Sequence, residues 1–443
     1  MKPIKESATV AINQRILELR AQGQDIVHFG FGQSPFPVFP PLAKALQKSA
    51  AKAHYLPTQG MPELRKSICG FMRKYFQYDV AWENTFIAPG SKELLYGALW
   101  ALKGPLIHPS PSWVSYAAQA ALLNKPIHFV ETFPQDSYKI TPAQLSKACS
   151  ALGHGPKIMI LNSPNNPTGS TYKEEELKSI ALIARENQVI IISDEIYALT
   201  AFEKQFQSIC RFYPEGTILT TGLSKAFSAG GYRLGFMFLP ETLRRLTPLL
   251  NALASETYTC APTPIQYAAL EILDKHKELK GYFDSCKKIH KGILFYLWGE
   301  LTKAGYTCAK PEGGFYLFPE ICAPGLSHSP VAACFSVRSA LLQKQNRRTL
   351  KHATTIKKKI EGVNDSVQLC KLLLKEYGVA ALPGTEFGLP PERLAFRIAG
   401  VDYDGAKALR AANASGSINE KFIKKYCPNI VKGADRLSDF LKR

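Results

Sequence analysis

The 443-residue chain is too long for one ordinary core and predicts two or three domains, and its 46% hydrophobic and 21% charged residues are proportions of a globular protein. The net charge of +19 comes with no nucleic-acid-binding motif, so it is read as solubility plus one local basic segment. Ten scattered cysteines without a C-x-x-C pair argue against a zinc site or a disulfide framework, and no metal is expected.

The segment Met1 to Gln14 has no continuous apolar stretch of the signal-peptide kind. The longest strongly apolar run, Leu94 to Leu102, is about half a membrane span. A cytoplasmic protein with no membrane partner and no nucleic-acid partner is therefore expected. Residues 6–22 carry a helical period and predict an N-terminal helix or arm. Ile26-Val27-His28-Phe29 predicts a strand entering the glycine-rich loop Gly30-Phe31-Gly32.

From about 40 to 320 strand and helix patterns alternate. Strands are expected at 85–88, 105–108, 127–131, 157–161, 189–193, 217–221 and 234–239, and helices at 62–76, 91–102, 112–123, 173–187 and 262–277. Runs such as Lys157-Ile158-Met159-Ile160-Leu161 suit strands covered on both faces, and the alternation predicts an α/β fold with a mainly parallel sheet. Residues 279–304 predict a long helix leading to a small α+β domain, with strands at 313–318, 378–382 and 394–399 and a helix near 365–377. The expected division is 1–40 for an arm and part of the small domain, 41–290 for the large domain, and 291–443 for the small domain. Between Ile321 and Ile360 there is no acid, while Arg338, Lys344, Arg347, Arg348, Lys351, Lys357, Lys358 and Lys359 fall there. This reads as a solvated basic insertion at about 325–362.

Five motifs carry chemistry. Ser163-Pro164-Asn165-Asn166-Pro167-Thr168-Gly169 follows a strand and builds a rigid turn from which Asn166 can donate to a phenolic oxygen. Asp194, in Ser193-Asp194-Glu195-Ile196-Tyr197, ends a buried strand and needs a partner there, for which a pyridinium N–H is suitable. Tyr197 could bond the same ring's phenolic oxygen, and Glu195 reads as an acidic helix cap. Lys225, in Gly222-Leu223-Ser224-Lys225-Ala226-Phe227, sits at a strand end, where open α/β sheets hold ligands. Ser224 and Arg233 can reach a phosphate, and Pro89-Gly90-Ser91-Lys92 places the amides of Ser91 and Lys92 at a helix N-terminus, an anion site. Trp113, in Pro109-Ser110-Pro111-Ser112-Trp113, could stack on an aromatic ring or simply sit in the core. Together the motifs suggest a lysine that forms a Schiff base with pyridoxal 5′-phosphate.

In this order, N-P-T-G, D-x-x-Y, S-K and R-x-G resemble the class I/II aminotransferases, the aspartate-aminotransferase-like group of pyridoxal-phosphate enzymes of fold type I. The resemblance spans about 10–320 and 363–405. It implies a large domain with a mainly parallel seven-stranded sheet between helices, plus a small α+β domain. It implies that Lys225 is the Schiff-base lysine and proton shuttle, that Asp194 pairs with the pyridine nitrogen, and that Asn166 and Tyr197 hold the phenolic oxygen. Ser91, Lys92, Ser224 and Arg233 resemble the phosphate ligands, and Trp113 the stacking aromatic. Tyr55 looks like the tyrosine that reaches the neighbouring subunit's phosphate, implying a homodimer with shared sites. Arg397 and Gly32 resemble the pair that holds the substrate α-carboxylate. Gly222 departs from the family, which often has a hydroxyl there; Thr221 is the candidate substitute. The implied activity is ping-pong transfer of an amino group from an L-amino acid to a 2-oxo acid. A lyase such as a C–S β-lyase, and a binding protein that keeps the fold without turnover, are the alternatives.

Overall fold

The computed structural model describes residues 8–203, 205–321 and 362–442. The strands in chain order are β1 (Val27–His28), β2 (Thr85–Ala88), β3 (Leu106–Ser110), β4 (Ile127–Glu131), β5 (Lys157–Asn162), β6 (Val189–Asp194), β7 (Thr217–Gly222), β8 (Gly235–Phe238), β9 (Tyr316–Leu317), β10 (Val379–Ala380), β11 (Leu382–Pro383) and β12 (Phe396–Ala399). The α-helices are α1 (Ala8–Ala21), α2 (Pro40–Ser49), α3 (Pro62–Phe76), α4 (Ser91–Ala101), α5 (Val114–Leu122), α6 (Pro142–Leu152), α7 (Glu174–Glu186), α8 (Thr247–Thr257), α9 (Thr263–Leu273), α10 (His276–Ala304), α11 (Ser366–Tyr377), α12 (Gly405–Ser415), α13 (Glu420–Tyr426) and α14 (Pro428–Lys442). The expected basic insertion, up to residue 361, lies outside the described residues.

A seven-stranded sheet runs in the order β2-β8-β7-β6-β5-β3-β4, with β8 alone antiparallel to its neighbours. Its central strands β5 and β7 are buried along their whole length and β6 at all but Ile190, and successive residues serve opposite faces. Ile158, Ile160, Ile192 and Ile218 pack with Leu94, Leu95 and Leu99 of α4 on one side. Met159, Leu161, Val189 and Ile191 pack with Leu177, Ile180 and Ala184 of α7 on the other. A strand sandwiched in this way has no polar face to show, so its sequence is a continuous apolar run. Each such side chain contributes roughly 1.5–3 kcal/mol by leaving water.

A three-stranded sheet, β11-β12-β9, and the parallel pair β1-β10 lie apart from the large sheet. The long helix α10 ends at Gly305, whose φ of 111° closes it in the left-handed region. The predicted helix at 262–277 divides: α9 stops at Leu273 and α10 begins at His276. The predicted strand at 378–382 is likewise two short pieces, β10 and β11. Helices α2, α6, α8 and α12 to α14 were not anticipated, although α6 carries a readable signal. Its Thr141 and Gln144 form a reciprocal capping box before Pro142. Among the described residues no helix is long and apolar enough to cross a membrane.

Candidate active site

The parallel strands β5, β6 and β7 end together beside a cavity of about 360 Å³. Eleven of the twelve residues singled out in the sequence line it: Gly32, Ser91, Lys92, Trp113, Asn166, Asp194, Tyr197, Ser224, Lys225, Arg233 and Arg397. Tyr55 does not. The residue is 83% exposed on the surface of the single chain.

Asp194 closes β6 and is buried. The Tyr116 hydroxyl donates to its Oδ2 at 2.6 Å and the Ile196 amide to its Oδ1 at 3.2 Å. Burial pushes its pKa up to about 6, against these two bonds and nearby Lys225. Among the described residues no cationic side chain forms an ion pair with it. The carboxylate therefore stands ready for a cationic partner from the cavity.

Lys225 lies just beyond β7, and its Nζ donates to the Gly32 carbonyl at 3.0 Å. Withdrawal from water lowers its pKa to about 8; Arg397, Arg233 and Lys92 act in the same direction and Asp194 opposes them. An appreciable fraction of the amine is neutral near neutral pH, as a nucleophile or base requires.

Arg397 projects from β12 and is 1% exposed. Its Nη2 donates to the Gly30 carbonyl at 2.5 Å and its Nη1 to Asn166 Oδ1 at 3.3 Å, while its guanidinium lies 4.7 Å from the Tyr316 ring centre. Its Nε has no partner, and among the described residues no carboxylate pairs with it. A buried guanidinium without a counter-ion is costly, so this one calls for an anion from the cavity.

A second anion seat forms at the start of α4. Gly90, with φ of 93°, brings the chain so close to Arg233 that a Cβ there would lie 2.3 Å from Nη2. The guanidinium is fixed by donation to the Gly230 carbonyl at 2.8 Å and the Pro89 carbonyl at 3.0 Å. Free helix amides, a pinned arginine and Ser224 converge there. Trp113 lines the cavity wall edge-on to Tyr116, with Lys92 Nζ 5.1 Å from its ring centre.

Residues 24–412 match the family described as aminotransferase class I and II. The chain belongs to that family. It is 29% identical over 392 residues to the aspartate/prephenate aminotransferase of Thermus thermophilus, covering 87% of this chain and 90% of that one. It is 31% identical over 395 residues to the aspartate aminotransferase of Geobacillus stearothermophilus, with the same coverage of 87% and 90%. The solved aspartate aminotransferase from Thermus thermophilus with maleate superposes with a TM-score of 0.78 at 26% identity, over 99% of this chain and 97% of that one.

The protein is thus a pyridoxal-phosphate-dependent aminotransferase of fold type I, acting on amino and oxo acids, and these relatives do not favour the lyase or the turnover-free alternative. The donor set of this aminotransferase fits the cofactor: a buried carboxylate for a pyridinium, an amide and a phenol for a phenolic oxygen, an anion seat for a phosphate, and the Lys225 amine of lowered pKa.

Three expectations need correction or completion. Glu195 caps no α-helix; it is buried, accepts from Ser193 and Ser208 at 2.9 and 2.6 Å, and burial raises its pKa to about 8. Thr221 does not replace the hydroxyl missing at Gly222, because it donates to the Glu195 carbonyl at 3.3 Å and stays outside the cavity. Gly222 itself faces the next strand so closely that a Cβ would lie 2.6 Å from the Leu234 carbonyl oxygen.

Sequence reasoning missed Tyr116, Asn162 and Tyr316 as cavity residues. Asn162 had a signal, a polar residue closing an apolar strand. Its side chain accepts from the Asn166 amide at 2.8 Å and donates to the Asp194 carbonyl at 2.8 Å, joining two motifs. Nothing local marks Tyr116 as the partner of a residue 78 positions away.

Proposed function

We propose that this aminotransferase takes its amino group from an acidic L-amino acid such as aspartate, and that the cavity residues act as follows. Lys225 would hold the cofactor covalently through Nζ, Asp194 its pyridine nitrogen, Asn166 and Tyr197 its phenolic oxygen, and Ser91 and Lys92 through their backbone amides, with Ser224 and Arg233, its phosphate. Trp113 would stack on its ring. When bound, pyridoxal phosphate supplies an electron sink for charge developing at the substrate α-carbon. Arg397, with the Gly32 backbone beside it, grips the substrate α-carboxylate and so fixes where the α-hydrogen points. Once the incoming amine has displaced it, Lys225 Nζ would take that proton and return it two atoms further along. Its lowered pKa suits both directions of transfer.

The observation that carries this reading is the buried Arg397 guanidinium without a carboxylate partner among the described residues, lining the same cavity as a lysine of lowered pKa. The acidic donor rests on the relatives' names and on a count of cations. Of those lining the cavity, Lys225 and Arg233 are engaged by the cofactor and Arg397 by the α-carboxylate. Lys92 Nζ, above Trp113, is left for a second carboxylate. Mixing the loaded enzyme with single amino acids should bleach the cofactor's visible band with aspartate or glutamate far more readily than with alanine. Lys225→Ala should lack both the band and turnover. Bleaching confined to neutral donors would refute the acidic reading, and a band retained in Lys225→Ala would refute the lysine's assignment.

We also infer a homodimer with shared sites. The exposure of Tyr55 supports it, since a phenol so open in one chain is free to reach another. Mixing Tyr55→Ala and Lys225→Ala proteins tests it. In hybrids one site carries both lesions and the other neither, so activity should reappear; continued inactivity would count against sharing. The division at about residue 290 is supported by α10, which spans it, and by the β1-β10 pairing, which ties the N-terminal arm to the C-terminal part. The free thiols of all the described cysteines suit the reducing cytoplasm.

A further inference from the structure

Tyr316 stands in β9, paired with Ala399 of β12, and is 2% exposed. Its hydroxyl lies 2.9 Å from that of Tyr197 and 3.4 Å from the Gly32 carbonyl, the same oxygen that accepts from Lys225. Its ring carries the Arg397 guanidinium on its face. A Cβ on residue 32 would lie 1.9 Å from the Tyr316 hydroxyl, so the loop glycine and the phenol fit together as one unit.

Two phenols in contact share one hydrogen bond, and only one of them can donate into it. Burial raises the pKa of both, so both stay protonated in the working range. If Tyr197 points its only proton into the cavity, its oxygen can still accept, and Tyr316 is the donor within reach. We propose that Tyr316 is a positioning residue that donates to Tyr197 and thereby commits the Tyr197 proton to the cofactor's phenolic oxygen. The inference rests on the role proposed above for Tyr197. Without Tyr316, Tyr197 loses the donor that polarises it, and its proton is free to turn elsewhere. The bound cofactor's oxygen is then a less stable anion, and the proton held beside it is released only at higher pH.

The test is a spectral pH titration of the loaded enzyme, which does not depend on turnover. Tyr316→Phe keeps the ring beneath Arg397 and removes only the hydroxyl. The midpoint of the cofactor's visible transition is expected to rise by about 0.5–1 pH unit, a roughly three- to tenfold loss of acidity. Tyr197→Phe should raise it further, and adding Tyr316→Phe to that variant should change nothing more. An unmoved midpoint in Tyr316→Phe, with Tyr197→Phe shifted, would overturn the proposal. So would the same increment from Tyr316→Phe with and without Tyr197. An unmoved midpoint in Tyr197→Phe would instead remove the Tyr197 assignment on which the inference depends.

Discussion

Asp194 shows how one buried side chain can serve a ligand at the expense of the ligand-free fold. Its pKa rises from 3.8 to about 6, chiefly through burial. The sign follows from which state binds the proton. Between those two values the folded chain holds a proton that the unfolded chain has lost, so stability from this group is complete below pH 3.8 and falls as the pH rises through about 6. At pH 7 the loss is on the order of 3 kcal/mol. Asp194→Asn should therefore stabilise the cofactor-free protein by up to about that amount at pH 7, and hardly at all at pH 4. The same variant should weaken cofactor binding, because an amide cannot pair with a pyridinium. Chemical denaturation at the two pH values checks it: equal stability of the two proteins at pH 7 would contradict the argument.

At the scale of elements, the close approach of β7 and β8 decides what residue 222 can be. The two strands pair antiparallel, with Gly222 opposite Gly235. Any side chain at 222 would be driven against the Leu234 carbonyl, so Gly222→Ser should destabilise by roughly 1–3 kcal/mol and add no phosphate contact. Thermal melting and cofactor affinity together check this, and tighter cofactor binding in the variant would contradict it. The family's usual hydroxyl was legible as absent, but the reason for its absence was not, since it lies in a neighbouring strand. The large-sheet strands were the most legible elements. The runs 85–88 and 127–131 were read with the bounds they have in β2 and β4; β2 is buried at every residue, whereas β4, at the sheet edge, exposes Phe129 and is bounded by polar and turn residues. The C-terminal helices α12 to α14 went unread. Each is capped or broken within about four turns, and their buried residues, such as Ala408, Phe422 and Ile430, are spaced among many lysines. Site residues that belong to a local motif were read. Tyr116 and Tyr316 were not, because their meaning arises only when β6 or β12 comes alongside.

The seven-stranded and three-stranded sheets meet through charge. Arg393 gives Nε and Nη2 to Glu320 at 2.9 and 2.7 Å beside β12, and Nη1 to Glu131 at 2.9 Å at the end of β4. Its side chain is 2% exposed and that of Glu320 4%, so water hardly screens that pair, while Glu131 is 35% exposed and its pair is partly screened. Arg397, four residues further on in β12, reaches Asn166 beyond β5, yet among the described residues it lacks the carboxylate that Arg393 has. The ligand-free enzyme therefore resembles a battery with one terminal unconnected, and almost any small carboxylate in the medium can close the circuit. Acetate, formate or maleate in a storage buffer should raise the melting temperature in proportion to the logarithm of its concentration once above its dissociation constant, while chloride at equal ionic strength should not. The same salts would slow the enzyme in an assay, and Arg397→Leu should abolish both effects. The choice of buffer anion is thus a biochemical variable for this protein and not a convenience.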